Sequence, residues 1–274
     1  MTRTALAVLA AATVFLYLPL VVLAVFSFND SALMAFPLSG FTLKWYAELA
    51  ANASFHSGFV TSFLVAQPVG LLTMVIGLMA ALALTAPGLR WRLAFGVMVL
   101  VPFLVPKSVL SIAQAMLLSR VFLDRGALAL ILAQTLVAVP FATVLVSAVL
   151  VRLDHRLIEA ARDLGATPWQ SFRLVLLPQL KGALAGAFSV GVILSLADLT
   201  IAMFLAGRTQ PLSLIVASEF RRELRPDLNA MQVAVLALTV LIVVASESYR
   251  RLRARRRRRG LAVPAASRPV EALP

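Results

Sequence analysis

The sequence predicts an all-α membrane protein, a bundle of six kinked transmembrane helices with one structured inner loop. Three observations predict it. Of 274 residues, 61% are hydrophobic and 14% charged, where soluble domains hold about 45–50% and about 25%. Mean hydropathy is +0.94. The apolar residues also gather in six runs, each long enough to cross a hydrocarbon core of roughly 30 Å at about 1.5 Å per residue. The absence of cysteine excludes disulfides, thiolate metal sites, iron–sulfur clusters and a cysteine nucleophile.

The runs lie near 5–27, 59–85, 94–118, 127–150, 181–206 and 230–249. Pro19, Pro68, Pro102, Pro106 and Pro140 interrupt them, which bundled membrane helices absorb because their neighbours satisfy the freed backbone groups. The first run follows Arg3 and ends in Phe26-Ser27-Phe28-Asn29 rather than a small-residue cleavage site. It is therefore expected to be a retained helix and not a secretion signal.

Orientation follows from the loop arginines and lysines, which are in excess on the cytoplasmic side. With both termini inside, seventeen fall on inner segments and seven on outer ones, Lys107 being set apart within a span. Arg221, Arg222 and Arg225 count against this placement. The formal charge of +13 is concentrated at the end of the chain, where nine arginines from Arg250 onward face one acid, Glu271. Residues 1–250 are thus expected to form the membrane domain, and 251–274 a basic tail without fixed structure, held at the inner leaflet of the bilayer. No nucleic-acid partner is expected.

The inner loop 151–180 carries the strongest local pattern. Asp154 can cap a short helix, and Gly165 suits the position just past its end, where φ > 0 is wanted. Thr167, Pro168 and Gln170 then read as N-cap, first helical residue and capping-box partner of a second helix. On it Trp169, Phe172 and Leu176 recur on one face, while Glu159 on the first helix stands beside the small Ala160 and Ala161. An apolar face on a cytoplasmic loop needs a cover: a docked partner, the chain's own bundle or the lipid headgroups.

Ionisable residues inside spans are costly and mark cavities or pairs. Lys107, Ser111 and Gln114 fall on one face of the third span, and Ser195 and Asp198 on one face of the fifth. Lys107 and Asp198 are expected at similar depth in the outer half. These faces either line a solute path or hold a structural Lys–Asp pair, with outward snorkelling of the lysine a further alternative.

The spacing Glu159-Ala160-Ala161, Gly165, Val175 and Leu177-Pro178 resembles the EAA loop of permease subunits of ABC importers. Pro19-Leu20-Val21-Val22, Gly40-Phe41-Thr42-Leu43-Lys44-Trp45-Tyr46, the surroundings of Asp198, and Pro226-Asp227-Leu228-Asn229-Ala230 are similar to the spermidine/putrescine-type branch. The resemblance implies a type I importer permease with six spans and a cytoplasmic coupling helix, in which Glu159, Ala160, Ala161, Gly165, Trp169, Phe172, Leu177 and Pro178 dock the ATPase. It implies as partners a second, homologous permease, two ATP-binding subunits and a periplasmic or extracellular solute-binding protein, in a bacterial inner membrane.

The chain itself is not expected to be an enzyme or to bind a cofactor. A phosphate-binding P-loop needs Gly-Lys followed by Ser or Thr, whereas Lys44, Lys107 and Lys181 follow Leu43, Pro106 and Leu180. ATP and magnesium would therefore belong to the partner ATPases. His56 and His155 stand far apart without companion ligands, so no metal site is expected. The branch resemblance implies a polyamine as solute, whereas a lysine in the path sits awkwardly with a polycation and better suits a zwitterion or anion, such as a 2-aminoethylphosphonate-like solute. An ATP-independent channel or secondary transporter is the rival reading, whose marks are internal repeats and coupling-ion carboxylates.

Overall fold

The computed structural model describes residues 3–31, 37–86, 90–121, 124–154, 156–222, 230–234 and 236–237. It is helical almost throughout, and divides into two units: Met1–Leu49 with Leu224–Pro274, and Ala50–Glu223.

In the first unit, α1 (Arg3–Phe26) fills the first expected span and remains one helix across Pro19. Phe15, Leu16 and Tyr17 are exposed along it, as befits a helix whose solvent is lipid. The chain then turns back through a bridge between Asn29 and Phe41 into α2 (Lys44–Ala51). Trp45 Nε1 donates to the Asn29 carbonyl at 2.7 Å, the Ser27 and Tyr46 hydroxyls share a hydrogen bond of 2.7 Å, and Lys44 pairs with the Asp30 carboxylate. The sixth expected span, 230–249, and the basic tail 251–274 lie largely or wholly outside the described residues.

The second unit is built on three long helices that pack pairwise: α3 (Ala53–Thr85), α6 (Ala127–Leu150) and α9 (Leu177–Leu196). Asn52 caps α3 by accepting from the Phe55 N–H at 3.1 Å. Small residues let the helix axes approach. A Cβ on Gly191 would stand 2.8 Å from the Gly70 Cα, and one on Gly77 would stand 2.6 Å from the Ala142 Cβ, distances no side chain tolerates. Around these crossings lie two apolar clusters, one centred on Val69, Leu130 and Ile201, the other on Val146, Leu180 and Ala187.

Two expected spans are broken. The run 94–118 forms α4 (Arg92–Leu104) and α5 (Lys107–Arg120), bent by 105°. Pro106 lacks an N–H and pushes the preceding residue out of the helical region; Val105 accordingly sits at ψ 135°. The fifth run was expected to begin at 181 and continue to 206. Its helix instead begins at α8 (Pro168–Gln170), runs through a π-helical turn at Ser171–Leu176 into α9, and stops at Leu196. A break follows, then α10 (Thr200–Leu205) and α11 (Leu212–Arg222). Pro178 stands three residues ahead of the expected start of the fifth span, yet the helix passes through it. A proline ring clashes with the carbonyl four residues back in an α-helix; here the Leu177 N–H bonds the Phe172 carbonyl five residues back, which opens the turn just ahead of Pro178. Among the described residues, four helices are long and apolar enough to cross a membrane, or five if the bent pair counts as one.

Candidate functional site: the inner loop and a buried polar cluster

The loop 151–180 folds as its local signals require. The Asp154 carboxylate accepts from the Arg156 N–H at 3.0 Å and starts α7 (Arg156–Asp163). At its end Gly165 has φ +83°; its N–H bonds the Arg162 carbonyl at 2.8 Å, and the Ala166 N–H bonds the Ala161 carbonyl at 3.0 Å. That pair of bonds closes a helix with a left-handed residue, where a Cβ is disfavoured. Thr167 and Gln170 form both bonds of a capping box, at 3.2 and 2.8 Å.

The loop's apolar face is only partly covered by its own bundle. Leu153 and Leu176 pack against the cluster around Leu180. Trp169 and Phe172 stack with ring centroids 5.5 Å apart, and Phe172 is half-buried whereas Trp169 is exposed. Leu164 is 89% exposed and Leu174 70%. Glu159 and Ala160 are exposed, Ala161 is half-buried, and Leu177 is half-buried beside exposed Pro178. Leu164 was absent from the expected set, although its place between a helix end and Gly165 was the signal that could have marked it.

The second constellation lies at the far end of α9. Lys107 Nζ stands 3.5 Å from Asp198 Oδ1, the ammonium half-exposed and the carboxylate buried. Asp198 occupies the break after α9 rather than a helix interior, and its Oδ2 accepts from the Ile201 N–H at 2.9 Å. It thereby satisfies an N–H in the first turn of α10, whose N-cap is Leu199, a local side-chain-to-backbone bond of the kind that competes with helix continuation. Its carbonyl accepts from the Ser213 hydroxyl at 2.9 Å. Lys107 is likewise not mid-span: it opens α5 directly after the bend.

Of the remaining expected residues, Ser195 donates to Gln134 Oε1 at 2.6 Å and Gln114 Nε2 donates to the Ala133 carbonyl at 3.3 Å. Ser111 is buried and turns back to the Lys107 carbonyl of its own helix at 2.6 Å. Gln134 was missed by the sequence reading. A carboxamide in the otherwise apolar run 127–150 was its signal, since a polar group in a membrane helix needs a partner. Sequence separation concealed that the cluster has a common post: α5, through Gln114, and α9, through Ser195, both fasten to α6 at Ala133 and Gln134. His56 Nε2 meets the Ala50 carbonyl at 2.7 Å, and His155 lies outside the described residues.

A family model described as "Binding-protein-dependent transport system inner membrane component" matches residues 73–258. The chain belongs to that family. It is a membrane permease subunit of the ABC importer kind. The putrescine transport system permease protein PotI of Escherichia coli (strain K12) is 30% identical over 236 residues, covering 83% of this chain and 84% of that one. The spermidine/putrescine transport system permease protein PotC of the same strain is 30% identical over 234 residues, covering 85% and 88%. Among solved structures, a bacterial ABC transporter involved in import of the acidic polysaccharide alginate superposes with a TM-score of 0.71 at 15% identity, over 91% of this chain and 98% of that chain. The MetNI methionine ABC transporter gives a TM-score of 0.61 at 24% identity, over 71% and 94%. At these identities the structures attest the fold. The matched family residues span both the inner loop and the polar cluster.

Proposed function

We propose that this permease pairs with a second, homologous permease to form the path of a small polar solute, and that two ATP-binding subunits drive it through the loop at 151–180. The observation that carries this reading is the loop's exposed apolar face. Leu164 and Trp169 stand out on a short structured segment that is continuous, through the π-turn, with α9. Docking there would bury them, with Glu159, Ala160 and Ala161 on the neighbouring helix offering a small-residue approach. Leu177 and Pro178 lie at the root of the moving helix. Both termini then face the cytoplasm, and a solute-binding protein delivers from the other side. Nucleotide closure in the ATPases would move the docked loops and shift the bundle between inward- and outward-facing states. The chain would need no cofactor of its own, since ATP and magnesium act in the partners.

Lys107, Gln114, Ser195 and Asp198 belong to the solute path in this reading, whereas Ser111, whose hydroxyl turns back to its own helix, falls outside it. The relatives' names support a polyamine; a 2-aminoethylphosphonate-like solute is the second class. The Lys107–Asp198 pairing supports retaining the polyamine, because the lysine charge is compensated within the protein.

Two measurements test the reading. ATPase subunits should co-purify with the wild-type chain and be lost with Glu159→Lys, and stable ATP-independent transport by the chain alone would refute the importer assignment. Uptake by the full importer should change in rate or selectivity for Lys107→Ala, Lys107→Glu and Asp198→Asn. Wild-type uptake in all three would remove the cluster from the path.

A further inference from the structure

We propose that Lys107 is a tethered counter-cation that occupies Asp198 in the absence of solute, and that a primary ammonium group of the solute exchanges with it. The proposal rests on the reading of this cluster as part of the solute path.

Asp198 is built to hold a cation. Its side chain is 3% exposed, and a buried carboxylate must be paired or hydrogen-bonded to stay charged. One oxygen is committed to the Ile201 N–H, leaving Oδ1 for a mobile partner. Lys107 supplies that partner, but loosely: 3.5 Å exceeds the roughly 2.7–2.9 Å of a well-formed ammonium–carboxylate hydrogen bond. The lysine side chain is 49% exposed, so it can swing away from Asp198 without displacing the described residues around it.

The two partners are also anchored independently of each other. Gln114 holds α5 to the Ala133 carbonyl, and Ser195 holds α9 to Gln134. Parting Lys107 from Asp198 therefore breaks neither bond. The exchange balances in charge, because one ammonium leaves as another arrives and the buried carboxylate is never left alone. A lysine head group and a primary alkylammonium offer the same three donors at the same size, whereas a quaternary ammonium offers none. An anionic group would draw Lys107 away and strand Asp198, an arrangement that costs more than it returns. Both solute classes retained above carry a primary ammonium.

The chain's three lysines, Lys44, Lys107 and Lys181, make the exchange readable. The intact importer in lipid nanodiscs is acetylated with limiting acetic anhydride, and the ratio of Lys107 to exposed Lys181 modification is measured by mass spectrometry. Reagent consumed by an added amine cancels in that ratio. Millimolar 1,4-diaminobutane should raise it about threefold, the scale of a half-exposed ion pair. Tetramethylammonium at equal ionic strength should leave it unchanged, and Asp198→Asn should raise it without any probe. A ratio that rises with Asp198→Asn but not with the diamine overturns the exchange, as does a ratio that responds to neither or equally to both cations. Failure of the path reading looks different: Lys107 responds to the diamine while Asp198→Asn leaves uptake at the wild-type level.

Discussion

The inner loop and the polar cluster lie at opposite ends of α9, twenty residues or about 30 Å apart along one helix, and each contradicts its surroundings. In the loop, apolar Leu164 and Trp169 are exposed beside charged neighbours. In the cluster, Gln114, Gln134, Ser195 and Asp198 are buried among apolar helices. The contradictions are resolved differently. Apart from Gln114 Oε1, which has no hydrogen-bond partner among the described residues, the cluster groups find partners within the chain, at 2.6 Å for Ser195 with Gln134, so they contribute to the fold as well as to any path. The loop's exposed leucine and tryptophan are left uncovered by the described residues. Substitutions in the loop should therefore act on assembly and spare the fold, while substitutions in the cluster should act on the fold and on uptake.

The largest expected effect is at the loop. Leu164→Asp combined with Trp169→Asp should abolish ATPase co-purification, while the stability of the isolated permease, followed by thermal unfolding, changes by no more than about 0.5 kcal/mol, as for other exposed positions. A loss of folded protein instead would erase the contrast. Next, Lys107→Met leaves a buried carboxylate with the Ile201 N–H alone. Its cost should be about 2 kcal/mol, below that of a fully buried pair because the lysine is half-exposed, with ATPase binding retained. Thermal unfolding of the purified complex would measure it. Gly165→Val forces a β-branched residue to φ +83° and should cost about 1–2 kcal/mol locally, read as weakened ATPase binding. Thr167→Ala removes one cap bond, worth about 1 kcal/mol, and should weaken docking less than Gly165→Val; Thr167→Ser should restore it. The smallest is Ser111→Ala. That hydroxyl serves only its own helix, so stability should change by less than about 0.5 kcal/mol and uptake should be unaltered.

The inner loop was legible because its signals are local. Asp154, Gly165 and the Thr167–Gln170 box each act over a few residues, and each took the role its chemistry prescribes. The span 127–150 was recovered to the residue for a similar reason, since Gly126 interrupts the apolar run where α6 begins. The breaks were harder to see. Apolarity averaged over nineteen residues is indifferent to a turn within the window, so the bend at Pro106 and the stop at Leu196 vanished into continuous runs. Pro106 and Asp198 stood out in the sequence, but as a kink and as a charge, not as a helix break and an acceptor for the first turn of the next helix. Gln134 escaped because one carboxamide barely alters the average, and its partner Ser195 lies 61 residues away. What the sequence withheld was mainly which polar groups meet across helices.

The π-turn at Ser171–Leu176 bears on how motion would travel between the two regions. A helix with an open turn holds one residue more than an α-helix of the same register. Closing that turn would rotate the segment from Thr167 by about 100° against α9 and displace it by about 1.5 Å along the axis. A push on the loop that closed this turn would therefore reach α9 as a twist as well as a displacement. Pro178, which keeps the turn open, sets the resting angle of that joint.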